Sequence, residues 1–426
     1  MAVSPPARPA RDPGLTSPTD FLALCHPLGA RVDLAASVPQ SGHLEASTLE
    51  AGRRPLARST NPSTIERMWR FKRTSKAPQH ADSASAAAVL EASSIDQLAE
   101  QLPDSVDELD RLVDELVETY RRQPTREMER QLLALRHILA ARSLTSGPSP
   151  DFVEPDFESL PPEGEIPEVN AAQLTPGVVR AAILRDGFLI ARGVVPRDEA
   201  IKLAEGIDRA FEEREKALRG EEPEPGYYEE FQPLEAYRES LLVRPWIREG
   251  GGVLAPDAPI LCEQMIALIT RHGIRSLVEG YMRERPLISL QKTTLRKAEP
   301  HVPGAWHQDG SFMGEVRALN LWLSLSRCGD ESPGLDIVPR RLDHYVEQRT
   351  DEAVLSIQVS QRVAEEAAGD RPIIRPIFEP GDAVFFDEML LHQTGSDPSM
   401  PKPRYAVECW FFGCSKFPKE YGPLAV

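Results

Sequence analysis

Short apolar runs separated by turn residues fill the sequence from about residue 287 to its end. In order they read ISLQKTTLRK, ALNLWLSLSR, GLDIVP, IIRPIF, DAVFFD and RYAVECWFF. Many short runs with Gly and Pro turns and no long helices between them are typical of antiparallel β structure. We therefore predict an antiparallel barrel or double-sheet jelly roll, interrupted only by a helix-like segment at 350–369.

Helical spacing of apolar residues appears earlier in the chain, in two stretches within 105–143. Ser105 and Glu108 fit a capping box, and Pro124 separates the first stretch from the second. The pattern predicts a helical hairpin. Two helices alone bury little apolar surface, so we expect the hairpin to dock on the following domain or on a second subunit.

The pattern divides the chain into four parts. Residues 1–85 are rich in Pro, Ala, Ser and Arg without periodicity, which predicts a disordered low-complexity tail. Residues 86–143 contain the helical hairpin, and residues 144–172 combine prolines and acids in the manner of an extended linker. Residues 173–426 form the main folded domain, mainly β with flanking helices.

The beginning of that domain mixes helical and strand patterns. We predict a strand at 187–195 and helices at 174–184, 196–213 and 260–281.

Composition and charge narrow the possible partners. The 426 residues carry a net charge of -17, which gives no attraction for phosphate backbones or anionic lipid, so nucleic acid is not an expected partner. No apolar run reaches membrane-spanning length and no secretory signal is recognisable, which predicts a cytoplasmic protein without a membrane partner. The five cysteines are scattered, which indicates neither a disulfide framework nor a zinc site.

Three side chains stand out as metal ligands. His307 and Asp309 are two positions apart, so in extended backbone both side chains point to one face. His392 follows the apolar strand AVFF after a short connection. Two imidazoles and one carboxylate on one side of an iron form the facial triad of non-haem iron(II) oxygenases, which leaves positions open for cosubstrate and oxygen.

Arg404 and Thr394 follow the second histidine and suggest an anion site. Thr394 is two residues after His392 and can share its face, whereas Arg404 opens the next predicted strand. A planar guanidinium binds a carboxylate through two parallel hydrogen bonds. This is what a dicarboxylate cosubstrate needs if its 2-oxo acid end chelates the iron.

At these residues the segment 173–415 resembles the phytanoyl-CoA dioxygenase family of 2-oxoglutarate oxygenases. The resemblance is carried, in order, by DGFLIARGVV, WHQDG, NLWLSLS, SPGLDIVPRR, EPGDAVFFDEMLLHQTG and PRYAVECWFF. It implies a double-stranded β-helix, a cupin-like jelly roll, that uses Fe(II), 2-oxoglutarate and O2 to hydroxylate a small molecule with release of succinate and CO2.

The resemblance also implies roles for individual residues. His307, Asp309 and His392 match the family's metal ligands, and Arg404 and Thr394 match residues that hold the distal carboxylate of 2-oxoglutarate. Trp322 and Thr294 match positions that line the cosubstrate. Relatives that halogenate lack the carboxylate ligand, so the presence of the acid favours hydroxylation.

Other interpretations are open at this point. The chain could be a non-catalytic jelly roll that binds a small ligand or serves as a scaffold, or a cupin enzyme with a different metal. The position of Glu408 on the same predicted face as Arg404 is also ambiguous. It could bind a cationic substrate group, pair with a nearby arginine, or be turned outward by a bulge.

Overall fold

The computed structural model describes residues 94–302, 304–348 and 357–426. The predicted disordered tail at 1–85 lies outside the described residues. Within the described ranges, no helix combines the length and the apolar character needed to cross a membrane.

Ten α-helices occur in the described residues, several of them with capping side chains at their first turn. Ser105, Thr125 and Thr175, for example, accept hydrogen bonds from backbone N–H groups of the helices that follow them. In chain order the helices are α1 Ile95–Gln101, α2 Val106–Arg122, α3 Arg126–Ser143, α4 Pro176–Asp186, α5 Arg197–Leu218, α6 Arg244–Glu249, α7 Pro259–Arg271, α8 Ile274–Met282, α9 Gly310–Met313 and α10 Gln361–Ala368.

Ten strands lie among these helices. They are β1 Glu168–Asn170, β2 Phe188–Arg192, β3 Gly252–Leu254, β4 Pro286–Ala298, β5 Ala318–Ser324, β6 Gly334–Ile337, β7 Ala383–Phe386, β8 His392–Gly395, β9 Arg404–Gly413 and β10 Pro423–Ala425.

The strands form a mixed sheet of eight strands and a smaller sheet of two. The order of the large sheet is β1-β2-β7-β5-β9-β4-β10, with β3 paired to β4 outside this path. All pairs are antiparallel except β1 with β2, which run parallel. Strands β6 and β8 form the small antiparallel sheet.

Alternation along the central strands gives the large sheet two different faces. On β5, Leu319, Leu321 and Leu323 belong to the main hydrophobic core with residues of helices α4, α5, α7 and α8. Trp322, between two of them, lines a cavity on the other face. The period of two therefore separates a helix-covered face from a face that is free to form a site.

The helical hairpin packs on the same chain. Helix α3 contacts helix α7 and strand β10. Arg136 of α3 and Glu263 of α7 form a buried ion pair through two hydrogen bonds of 3.1 Å each. An ion pair of this kind fixes the register of the two helices because breaking it would leave a buried charge without its partner.

His137 joins the hairpin to two further segments. Its Nδ1–H donates to the Pro423 carbonyl at 2.6 Å, and its Nε2 accepts from the Leu234 backbone N–H at 3.2 Å. The second contact requires a neutral ring, because a protonated Nε2 cannot accept a hydrogen bond, and burial lowers the pKa of His137 to about 4. The imidazole therefore binds its second proton less readily in the folded state than in the unfolded state.

We expect His137 to destabilise the protein as the pH falls from about 6.5 to about 4. A depressed folded-state pKa means that the stabilisation is present above the unfolded-state pKa and is lost on acidification. The loss amounts to roughly 3 kcal/mol in the free energy of unfolding. The His137→Gln variant should have a flatter pH dependence across this window in denaturant titrations. An unchanged slope would show that the ring titrates normally.

The proline-rich segment 144–172 lies against the folded core. The Val153 N–H donates to the Tyr281 carbonyl at 3.2 Å, and the Phe152 ring lies 5.1 Å from the Tyr281 ring. Leu160 is buried, and the segment ends in strand β1. The prolines thus support an extended path across the surface of the core.

Two predicted elements differ from the structure, and a third is described only in part. The single helix predicted at 260–281 is two helices, because Gly273 adopts a positive φ of 74° between them. The run IIRPIF forms no strand, only isolated bridges at Ile374 and Phe378, since Pro376 interrupts it. Within the helix-like segment 350–369, the described helix is α10, and residues 349–356 lie outside the described residues.

Candidate functional site

His307 and His392 face each other across an antiparallel bridge. Each backbone N–H donates to the other residue's carbonyl, at 3.0 and 3.1 Å. Residues directly opposite in such a pair project their side chains to the same side. The two imidazole rings accordingly lie 4.5 Å apart at 47° to each other.

The second nitrogen of each ring is held by the backbone. His307 Nδ1 lies 2.7 Å from the Ala305 carbonyl, and His392 Nδ1 lies 3.1 Å from the Leu390 carbonyl. A carbonyl only accepts, so both Nδ1 atoms carry the proton and both Nε2 atoms present a lone pair. Backbone contacts of this kind fix the tautomer and orientation of metal-binding histidines.

Asp309 completes the group. One ligand atom from each of His307, Asp309 and His392 lies within 4.8 Å of the others, and His392 Nε2 is 3.8 Å from Asp309 Oδ2. Asp309 and His392 are buried, and His307 is half-buried. Burial, together with the nearby His307, lowers the pKa of His392 to about 4, so the ring is neutral at physiological pH.

The residue between the first two ligands is an anchor. Gln308 is fully buried, its Nε2 donates to the Met389 and His344 carbonyls at 2.9 and 3.2 Å, and its Oε1 accepts from the Val346 N–H at 2.9 Å. Every polar atom of this amide is therefore used to hold the backbone that presents His307 and Asp309.

A close backbone approach occurs just before the motif. A Cβ added to Gly304 would lie 2.0 Å from the Thr394 carbonyl oxygen, a contact that no side chain permits. Glycine at 304 lets the loop pass directly over strand β8, which carries His392 and Thr394.

The three side chains open into a cavity of about 670 Å³. All seven candidate residues from the sequence line this cavity, and they come from strands β4, β5, β8 and β9 and from the loop before α9. They are Thr294, His307, Asp309, Trp322, His392, Thr394 and Arg404. A cavity of this volume is in the range of small-molecule sites.

Arg404 presents a buried guanidinium to this cavity. Only 4% of the residue is exposed, and its Nη1 donates to the Gly334 carbonyl at 2.8 Å. Its Nε is buried and has no hydrogen-bond partner among the described residues. Burial lowers the pKa of Arg404 to about 10, and no described carboxylate forms an ion pair with it. A buried cation in this condition is stabilised by an incoming anion.

Trp322 and Thr294 have protein contacts that hold them in the cavity wall. The Trp322 ring lies 5.3 Å beneath the Arg404 guanidinium and 5.1 Å from the Phe378 ring. Thr294 Oγ1 donates to Glu408 Oε2 at 3.4 Å. Thr394 is half-buried on β8, two residues from His392.

Glu408 pairs with an arginine, the second of the three options that the sequence leaves open. Its Oε2 lies 2.9 Å from both Nε and Nη2 of Arg296 on the neighbouring strand β4. This Arg296–Glu408 pair is neutral as a unit and forms part of the cavity wall.

Several wall residues were not predicted from the sequence. Lys292 and Gln291 on β4, Phe312 on α9 and Phe386 on β7 also line the cavity. Phe386 could have been anticipated as an inward position of an apolar strand. Lys292 and Gln291 had no such signal, because they lie at an irregularity in strand pairing.

Comparison with known proteins is consistent with the sequence resemblance. The model of the phytanoyl-CoA dioxygenase (PhyH) family matches residues 183–404. Among curated proteins, no significant match to this chain was found.

Two of the solved structures that resemble this chain illustrate the similarity. EctD from S. alaskensis, crystallised with 2-oxoglutarate and 5-hydroxyectoine, is 18% identical over 57% of this chain and 78% of its own, with a TM-score of 0.42. The non-heme alpha ketoglutarate dependent epimerase SnoN from nogalamycin biosynthesis is 19% identical over 56% of this chain and 82% of its own, with a TM-score of 0.34.

Proposed function

We propose that this chain, which belongs to the phytanoyl-CoA dioxygenase family, is an iron(II)- and 2-oxoglutarate-dependent oxygenase that hydroxylates a small organic molecule. The observation that carries the proposal is the pairing of a complete ligand group with an unpaired buried guanidinium in one cavity.

The donor set suits iron(II). His307 and His392 offer neutral Nε2 atoms whose orientation is fixed by their Nδ1–H bonds, and Asp309 offers a carboxylate oxygen. This donor set, with open positions on the opposite side, is the one found in non-haem iron oxygenases. A structural zinc site would instead use a closed set of four ligands.

The remainder of the cavity suits 2-oxoglutarate. Arg404 is the proposed partner of the distal carboxylate, and its free Nε is available to donate. Thr394 and Thr294 offer hydroxyls nearby, and Trp322 supports the guanidinium from below. A carboxylate here would accept a hydrogen bond from the buried guanidinium, which favours a dicarboxylic acid as cosubstrate.

Bound iron would supply the chemistry that couples conversion of 2-oxoglutarate and O2 to succinate and CO2 with hydroxylation of a substrate C–H bond. The protein's own contribution is to hold the ligands and the bound molecules in position. Gln308 holds the ligand-bearing backbone. The Phe386 ring packs against His392 at 4.9 Å, and the Trp410 ring packs against Phe386 at 5.8 Å. Retention of Asp309 favours hydroxylation over halogenation.

We further propose the architecture that goes with this function. The large mixed sheet and the small β6–β8 sheet together correspond to a double-stranded β-helix, with the metal group between them. Residues 173–426 would form this oxygenase domain, preceded by the tail, the hairpin region 86–143 and the linker 144–172. A cytoplasmic location accords with this function.

Succinate formation tests the proposal directly. Purified protein supplied with Fe(II), 2-oxoglutarate and O2 should release succinate, and a substrate from a small-molecule screen should stimulate that release. Omission of Fe(II) or O2 should stop it. Metal binding with no succinate under any condition would favour a cupin enzyme of another kind. No binding of 2-oxoglutarate would favour a non-catalytic ligand-binding or scaffold protein.

A further inference from the structure

The cavity contains a second cation that has no ion-pair partner among the described residues. Lys292 is half-buried and lines the cavity. Its Nζ lies 4.3 Å from the centre of the Phe312 ring and 5.3 Å from that of Tyr421. Among the described residues no carboxylate forms an ion pair with it, and burial lowers the pKa of its ammonium.

A break in strand pairing directs Lys292 into the cavity. Ile288 pairs with Phe411 and Thr293 with Cys409, so residues 289–292 lie opposite a single residue of β9. Gln291 and Lys292 consequently both line the cavity, although neighbours on a regular strand point to opposite faces. Bulges of this type occur next to active sites, where they redirect side chains.

The bulge is held by one hydroxyl. Ser289 Oγ donates to the Tyr421 carbonyl at 2.9 Å and accepts from the N–H groups of Gln291 and Lys292 at 3.1 and 3.0 Å. The irregular backbone is therefore hydrogen-bonded, and the position of the lysine is built into the fold.

Arg404 and Lys292 occupy separate positions along the β4–β9 strand pair. Arg404 pairs with Ala298 at one end of the β4–β9 ladder, whereas Lys292 lies in the middle of the ladder, at the irregularity between Ile288 and Thr293. Lys292 and Ala298 are six residues apart on β4, and six residues of extended chain correspond to roughly 20 Å along the backbone. Phe312, beneath the lysine, stacks on His307 with ring centres 6.5 Å apart and an angle of 23°. We therefore place Lys292 outside the part of the cavity assigned to the distal carboxylate of 2-oxoglutarate.

The charges in the cavity leave the Lys292 ammonium without a negative partner. With iron(II) and 2-oxoglutarate bound, the positive charges of the metal and Arg404 offset Asp309 and the two carboxylates of the cosubstrate. The Arg296–Glu408 pair is neutral. Contact with the Phe312 and Tyr421 rings stabilises an ammonium by about 0.5–2 kcal/mol but does not neutralise it. The charge of Lys292 remains uncompensated.

We infer that Lys292, assisted by the Gln291 amide, binds an anionic group of the primary substrate, so that the substrate is a small carboxylate or phosphate compound. The anion would lie against the bulge, with the carbon chain extending past Phe312 toward the iron-binding group. This inference rests on the proposed function and specifies the substrate class for the same cavity.

The test uses anaerobic enzyme loaded with Fe(II) and 2-oxoglutarate, and four probes of equal chain length: hexanoate, hexyl phosphate, hexylamine and hexanol. Affinity is measured by isothermal titration. We expect hexanoate or hexyl phosphate to bind at least about tenfold more tightly than the amine and the alcohol, and the stronger of the two identifies the anion.

Three variants locate the effect. Lys292→Met should lose the preference for anions, and Lys292→Arg should keep most of it. Lys297→Met is the matched control, because that ammonium is already paired with Asp208 at 2.7 Å, and it should behave like the wild type. Equal binding of all four probes, no binding of either anion, or a preference that survives in Lys292→Met would each overturn the inference.

The same samples separate this inference from the proposed function. Lys292→Met should retain wild-type affinity for 2-oxoglutarate, which also shows that the variant is folded. Failure of the wild-type protein to bind 2-oxoglutarate would contradict the proposed function itself. Normal 2-oxoglutarate binding by the wild type without a preference for anionic probes, or with a preference that Lys292→Met retains, would contradict only the role of Lys292.

Discussion

Replacement of Asp309 by alanine is expected to abolish succinate formation and to weaken iron binding severely. Asp309 is the only carboxylate in the group of candidate ligands, and it would supply the protein's only negative charge to the bound iron. Loss of an outer-shell hydrogen bond to a ligand typically costs 10–100-fold in metal affinity, and loss of a ligand costs more. Iron titration of the purified variant and a succinate assay measure the two effects.

A neighbouring carboxyl group provides the matched control. Glu388 is close to Gly310, and burial together with Asp387 raises the pKa of its side chain to about 7. The side chain is therefore substantially protonated near neutral pH, and glutamine is a close substitute. Glu388→Gln should keep its iron affinity. Wild-type turnover by Asp309→Ala, or equal loss in both variants, would contradict the assigned role of Asp309.

Replacement of Arg404 by alanine is expected to raise the KM for 2-oxoglutarate by roughly 30-fold or more, because truncating one partner of a buried charge pair costs about 2–5 kcal/mol. Iron binding should persist, since Arg404 touches none of the three ligands. The change in the KM for 2-oxoglutarate relative to the change in iron affinity is the informative quantity. It is obtained from 2-oxoglutarate kinetics and iron titration on the same preparation.

Arg404→Lys tests the geometry of the interaction. A lysine keeps the positive charge but lacks the planar fork, so its KM for 2-oxoglutarate should lie between those of wild type and alanine. An alanine variant with unchanged KM would show that the distal carboxylate binds elsewhere. Loss of iron binding in proportion to loss of 2-oxoglutarate binding would indicate a general structural role instead.

The sequence predicts those parts of the site that depend on local spacing. His307 and Asp309 are two residues apart, and His392 follows a strand whose apolar character is plain. All three come together in the structure, with Arg404 and Trp322 in the same cavity. Their positions follow from alternation along strands, a property that the sequence displays directly.

Cross-strand register is much harder to predict. The Arg296–Glu408 pair joins two strands that are more than a hundred residues apart in the chain. Alternation predicts that Glu408 points inward but does not identify its partner. That identity depends on the β4–β9 register, which is set by the whole sheet.

Irregular backbone accounts for the other features that the sequence analysis did not predict. A strict period of two cannot place both Gln291 and Lys292 on one face, so the bulge that does so was invisible in the pattern. The positive φ of Gly273 likewise breaks a segment that reads as one continuous helix. Both features satisfy tertiary constraints that local periodicity does not record.

The most direct test of the central claim is a visible absorption titration of anaerobic, Fe(II)-loaded protein with 2-oxoglutarate. The account predicts a weak charge-transfer band that saturates with one 2-oxoglutarate per chain, that is absent in Asp309→Ala, and that requires higher 2-oxoglutarate in Arg404→Ala. A wild-type protein that binds iron yet develops no band at any 2-oxoglutarate concentration would contradict it.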